Sequence, residues 1–354
     1  MHAVSHEVDL VARPNRARST PAATAPVATK KTAPAGPGAI KSRPQTLLAI
    51  PVGAAIALAV HYFVPKSEPL MPTHYYPTLL YAALAFGLIA AVAQIFSMRI
   101  RHWMRRMCPI LGVAIVTAAI WQLVTTCLGL LPLPYFPGPE PVLASMMGDR
   151  QLLFDSTWHS LILLLSGYAV GTVIALITGV TIGWFPHARY WGMPLLKIVG
   201  PIPATAWIPL AMVIAPSALF SAVGLVALAV WFPVTMLTAS GISNTRTSYL
   251  DVAKTLGANR LFLIFRVAVP AAMPNIFIGL FMGLGTSFLT LVVAETVGVK
   301  SGLGWYVSWA QGWAEYGKVY GALVIMAAFF STIMTVLFKL RDRVLVWQKG
   351  VIKW

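Results

Sequence analysis

The stretch DVAKTLGANRLFLIFRVAVP, residues 251–270, is a charged amphipathic segment set between long apolar runs. Its reading decides the rest of the chain. Ser248-Tyr249-Leu250-Asp251 has the spacing of a capping box, which predicts a short helix starting near Ser248. Ala253 and Leu256 fall on one side of that helix, which leaves Asp251 and Lys254 for water or a protein partner. Gly257 is placed to end it, because glycine takes the left-handed C-terminal position without a Cβ clash. A second helical run over 259–268 follows, and Pro270 marks the change into the next apolar segment. The pattern predicts a compact knob of two short helices joined at a glycine.

Outward from the knob, the chain of 354 residues is 58% hydrophobic and only 10% charged, outside the range of soluble domains. Its apolar runs place membrane spans at 47–64, 79–98, 109–131, 158–184, 193–215, 219–241, 271–294 and 319–338. An even number of spans puts both termini on one side. The basic residues give the same answer: 22 of the 26 fall on the side of the termini and the 242–270 loop. The positive-inside rule then makes that side cytoplasmic. The net charge of +16 therefore reads as membrane topology, and nucleic acid is not the expected partner.

Residues 1–46 lack the early apolar core of a signal peptide and read as a retained, disordered basic cytoplasmic tail, with a docking arm for anionic lipid as the alternative. The division expected is this tail, two additional helices over 47–98, a core over 109–340 and a cytoplasmic tail over 341–354. Five prolines make 132–157 an outside loop. Pro194, Pro201, Pro203 and Pro209 prevent 193–215 from forming one regular helix, and broken helices at membrane depth border cavities or pack in protein. Gly167/Gly171, Gly179/Gly183 and Gly279/Gly283 have the spacing of close helix contacts.

No catalytic constellation and no metal site stands out, and Cys108 and Cys127 read as small core residues of one helix. Gly312 to Lys318 imitates a phosphate-binding loop, but Val319 stands where a magnesium-binding hydroxyl is needed and no strand precedes it. Three residues are candidates for a substrate pathway. His159 is equally an interfacial helix-start histidine; Trp207 is equally a packing residue; Glu295 is costly at its depth, and gating or helix-end hydrogen bonding suits it better than contact with an anion. Lys197 reads as a snorkelling side chain.

Asp251-Val252-Ala253, Gly257, Val267 and Val269-Pro270 match the spacing of the "EAA" loop of permease subunits in ATP-driven (ABC) importers, with Asp in place of Glu and Val at three further positions. Ile202-Pro203 with Trp207-Ile208-Pro209-Leu210, and Val293-Ala294-Glu295 with Ser301-Gly302-Leu303-Gly304, are similar to the nitrate, sulfonate, taurine and bicarbonate branch. The likeness covers roughly 110–354 and departs from the branch where Ala215-Pro216-Ser217-Ala218 replaces its Trp-Phe-Gly loop. It implies an all-α integral membrane protein of the cell inner membrane with a type I importer transmembrane domain, about six core helices plus about two extra N-terminal ones. It further implies a coupling loop at Asp251, Val252, Ala253, Gly257 and Pro270 and a second copy of the chain. The partners implied are an external solute-binding protein and a separate ATPase dimer carrying the ATP and Mg that this chain does not bind. A secondary transporter without ATP is the alternative, and it requires acids buried inside spans, for which Glu295 is the one candidate.

Overall fold

The computed structural model describes residues 48–66 and 73–347, so the tail expected over 1–46 and the last part of the C-terminal tail, 348–354, lie outside the described residues. Helices α1 (Ala49–Phe63), α2 (Tyr75–Phe96) and α3 (Met98–Gln122, prolonged by a π-turn at Leu123–Cys127) come first. Then follow α4 (Pro139–Gly148), α5 (Arg150–Trp184), α6 (Pro186–Val199), a 3₁₀ turn (Ala204–Trp207) and α7 (Ile208–Ile214). The chain continues through α8 (Ala218–Ser243), α9 (Thr247–Thr255), α10 (Arg260–Phe262), a π-turn (Leu263–Ala268), α11 (Val269–Val297), α12 (Leu303–Gly312) and α13 (Tyr316–Val344). Six of these segments are long and apolar enough to cross a membrane; α6 and the 204–214 segment, bent by 86°, make a seventh together. With its 15 residues α1 reaches about 22 Å, short of the ~30 Å hydrocarbon core.

Side-chain contacts give the direction of each helix. A Cβ on Gly167 would meet Val226 and one on Gly183 would meet Ile242, so α5 and α8 run the same way. Gly279 faces Val234 and Gly283 faces Val230, so α11 runs against α8. The Phe281–Phe338 and Phe288–Phe330 ring pairs, 4.2 and 4.6 Å between centroids, reverse α13 against α11. Two parallel helices joined in sequence need a return path, and the proline-broken α6–α7 segment supplies it. The bundle thus has a loop end, holding the α8–α9–α10 connection, and an acid end, holding α4, the start of α5 and α12.

Helix α8 is the centre of the core, between α5 and α11. At Gly171 an added Cβ would lie 2.5 Å from the Ala227 carbonyl oxygen, so only glycine permits this backbone approach. The remaining paired glycines meet α8 in the same manner, which assigns them to packing.

Several boundaries differ from those read in the sequence. Residues 99–106 are not a connecting loop but the first turns of α3, because arginine favours helix and no glycine or proline stops it before Pro109. The proline-rich 132–157 stretch contains α4 and the first turns of α5; Pro139 and Pro141 fall in the first turn of α4, where the missing N–H costs nothing. Helix α13 continues to Val344, through the start of the tail placed at 341–354. The run over 259–268 is not a separate helix either. It continues into α11 through the π-turn, which lies where Pro270 cannot donate to the ladder.

Candidate functional site

At the loop end, α9 starts at Thr247 after Arg246, with no side-chain cap. Ser248 and Asp251 therefore sit inside the first turns and do not form the capping box; Asp251 instead pairs with Lys254 at 3.4 Å. The helix closes in a Schellman motif: the Ala258 N–H donates to the Ala253 carbonyl and the Gly257 N–H to that of Lys254. Gly257 has φ +82° and open space around its Cα. The next helix opens at Asn259, whose side chain accepts from the Phe262 N–H at 2.8 Å. No residue of α9 is buried, and Tyr249, Val252, Leu256, Leu261, Phe262 and Phe265 all expose more than a third of their surface. Asp251 is exposed, Ala253 and Pro270 are half-buried, and Pro270 is the second residue of α11. An exposed apolar patch carried on a short helix and joined by a glycine hinge to a 38-residue helical segment is built to be covered.

Mid-bundle, Trp207 ends the 3₁₀ turn where α6 and α7 part. It lines a cavity of about 350 Å³ together with Pro203, Thr205, Trp231, Phe232 and Thr290. His159 is away from this cavity, exposed on α5, its Nδ1 2.8 Å from the Asp155 carbonyl oxygen of its own helix. Lys197 is also exposed and does not line it.

Glu295 is 1% exposed near the acid end of α11. One carboxylate oxygen accepts from the Ser160 hydroxyl at 2.7 Å, the other from the Gly304 N–H at 2.7 Å, and the Ser160 oxygen accepts from the Leu303 N–H at 2.8 Å. The carboxylate thus sits on the N-terminus of α12, where the free N–H groups and the helix dipole favour negative charge. Gly302 at φ +102° brings the chain close enough, for a Cβ there would lie 2.4 Å from the carboxylate. Of the three pathway candidates, Trp207 lines a cavity, while Glu295 joins α5, α11 and α12 through Ser160.

Two further polar clusters at the acid end were not singled out in the sequence. Asp149 accepts from the Tyr306 hydroxyl at 2.9 Å and pairs with Lys318 at 3.1 Å, and Lys318 also reaches Glu315 at 2.8 Å. Burial and the bond to Asp149 push the Tyr306 hydroxyl well above its ordinary range. Glu140 on α4, 3% exposed, accepts from the Thr73 N–H at 2.9 Å, from its hydroxyl, and from Lys66 at 3.1 Å. Nothing local distinguishes Glu140 and Asp149 from loop residues, since their partners lie 67 or more positions away.

Comparison with known proteins bears on all of this. The profile of the family described as binding-protein-dependent transport system inner membrane component matches residues 171–345. A probable ABC transporter permease of Haemophilus influenzae is 31% identical over 171 residues, 48% of this chain and 69% of that protein. The taurine transport system permease of Escherichia coli is 26% identical, over 48% of this chain and 64% of its own length. The nitrate import permease of Synechococcus elongatus is 27% identical, over 46% and 61% respectively. The match to these relatives thus spans between 61% and 69% of their length. A solved chain of the inward-facing MetNI methionine ABC transporter aligns at a TM-score of 0.47 and 18% identity, covering 56% of this chain and 98% of that one. On the profile and the relatives, the chain belongs to the ABC transporter permeases, the binding-protein-dependent inner-membrane components.

Proposed function

We propose that this permease forms the membrane pathway of an ATP-driven importer for a small anion of the nitrate, sulfonate, taurine or bicarbonate type. The observation that carries the reading is the loop end. There α9 and the start of α10 present apolar side chains to solvent on a rigid, glycine-hinged projection continuous with α11. A separate ATPase dimer, holding the ATP and Mg, covers that patch. Closure of the dimer moves α9 as a lever, and the continuous segment Arg260–Val297 beyond the Gly257 turn carries the motion into the core. Two copies of the chain enclose the path, and a solute-binding protein delivers at the acid end. The loop end also gathers the basic residues of the spans, among them Arg105, Arg189, Arg246 and Lys339, which supports a cytoplasmic loop end and an external acid end. Alternating access then follows from the differential affinity of the ATPase for the two arrangements.

The reading of Glu295 as the coupling-ion site of a secondary transporter is not favoured, because both its oxygens are engaged by Ser160 and Gly304.

The test is a mild-detergent pull-down of the tagged chain with ATP hydrolysis assayed on the eluate. A stoichiometric ATPase that is lost on Gly257→Pro, with the variant still inserted in the membrane, is the expected result. An ATP-silent eluate under several gentle conditions overturns the importer reading.

A further inference from the structure

The first turns of α3 carry a cationic face that no acid of the described residues answers. Trp121, near the far end of α3, lies 6.0 Å from Tyr320 at the acid end, so α3 begins at the loop end. Arg101 and Arg105 are one turn apart, as are His102 and Arg106, so the four share one side of the helix. Ile100, Met104 and Cys108 take the other side, with Met104 and Cys108 fully buried. His102, Arg105 and Arg106 are exposed and Arg101 is half-buried.

Among the described residues no carboxylate pairs with any of these cations. The loop-end acids, Asp251 and Asp342, are taken by Lys254 and Arg341. Arginine stays charged at every physiological pH, and like charges one turn apart weaken a helix. Membrane sidedness accounts for basic residues at this end in any arrangement. Stacking them on one helix face at a cost calls for a countercharge from outside the chain.

The surface beside the charges is apolar. The single extended residue Ser97 joins α2 to α3, so Phe96 and Met98, 85% and 79% exposed, stand at the root of the cationic face. Trp103 lies edge-on to Phe86 of α2, 6.1 Å between ring centroids, and keeps part of its indole exposed. An acidic protein segment would answer the charges and leave these side chains in water. A lipid answers both, with its phosphate on the guanidinium groups and its acyl chains along the end of α2.

We propose that the first turns of α3 bind the headgroup of an anionic phospholipid in the leaflet that faces the loop end. Arg101, Arg105 and Arg106 hold the phosphate, and Trp103 with Phe96 marks the level where headgroup gives way to acyl chain. The family profile begins at residue 171, so the site belongs to the part of the chain outside that match. The inference goes beyond the importer reading and needs neither the ATPase nor a solute.

The test is native mass spectrometry of the purified full-length chain in mild detergent, titrated with dioleoylphosphatidylglycerol or with dioleoylphosphatidylcholine. The glycerol lipid is expected to bind at least about tenfold more tightly, a preference that shrinks as salt rises. The triple change Arg101→Gln, Arg105→Gln and Arg106→Gln removes the preference, with the melting temperature in lipid-free detergent unchanged. Arg106→Gln alone weakens it about threefold, and the triple change of the same residues to Lys keeps most of it. Arg150→Gln with Lys300→Gln, exposed positions at the acid end, leaves it intact. Equal binding of the two lipids by the wild type overturns the proposal. So does a preference that survives the triple Gln change, which assigns the lipid to the basic residues of 1–46 or to another loop-end cation. Loss in the Lys variant as complete as in the Gln variant, or displacement of the lipid by polyglutamate at equal charge concentration, overturns it as well.

Discussion

Glu295 and Asp251 are both acids at helical positions near an end of the bundle, yet the fold uses them in opposite ways. Glu295 is enclosed and joins three elements through Ser160 and the start of α12; Asp251 is exposed and meets only Lys254, one turn away on its own helix. The contrast extends to the two ends as wholes. At the acid end Glu140, Asp149 and Glu295 each bind groups distant in sequence. At the loop end Asp251 and Asp342 pair with a neighbour three residues or one residue away, in ion pairs too exposed to stabilise much. One end is stitched to itself; the other is kept free of internal partners and presents apolar surface. A lever needs both, a fixed frame and a free contact.

The largest effect is predicted at the firmest stitch. Glu295→Ala strands the Ser160 hydroxyl and the Gly304 N–H in an enclosed place and should lower stability by about 3 kcal/mol, read as a drop in melting temperature in mild detergent. Glu295→Gln keeps one good acceptor and should lose about half of that. A melting temperature unchanged in the Ala variant would show that the acid end is held by packing alone.

Glu140 provides the next test, through pH. Burial acts to raise its carboxyl, but the Thr73 N–H and the Lys66 ammonium outweigh it and hold the group below its ordinary value of 4.5. A lowered folded value means that the stabilisation is complete above 4.5 and fades as the pH falls through the lower folded value. Glu140→Gln should therefore cost about 1–2 kcal/mol at neutral pH and remove the acid-side loss between that value and the folded one. Parallel pH profiles for both proteins would rule out the carboxylate as the source.

How far this contrast can be read in the sequence follows from the range of each interaction. The proline break between α6 and α7, the glycine contacts on α8 and the glycine end of α9 are local signals, and the structure has each of them; of the eight spans read from the apolar runs the described residues form six, or seven with the bent α6–α7 pair, because α1 is too short to cross. The stitches are not local: Ser160 and Glu295 are 135 residues apart, so nothing beside either marks the pair. The capping box misled because Ser-x-x-Asp has the right spacing wherever it falls, and here it falls one position inside a helix that begins at Thr247. Pro270 misled for another reason. Proline usually marks a boundary, but a π-turn just before it absorbs the missing N–H and α11 continues back to α10.

At the loop end the effects on stability shrink. Gly257→Ala should cost about 1 kcal/mol, all of it from φ +82°, since a Cβ there meets open space. A larger loss would mean that the hinge is packed and the end less free than it looks.

The smallest effect on the fold is predicted for Leu256→Ser and Phe262→Ser, and it sharpens the comparison most. Both side chains are at least half exposed, so removing them should change stability by no more than about 0.5 kcal/mol. The same variants should retain much less ATPase in the pull-down, because the apolar contact that a partner would cover is gone. Stability and association then separate at this end, whereas at Glu295 the change in stability comes first. If Leu256→Ser lowers the melting temperature as far as Glu295→Ala does, the side chain is part of the frame, and the division into a stitched end and a free end fails.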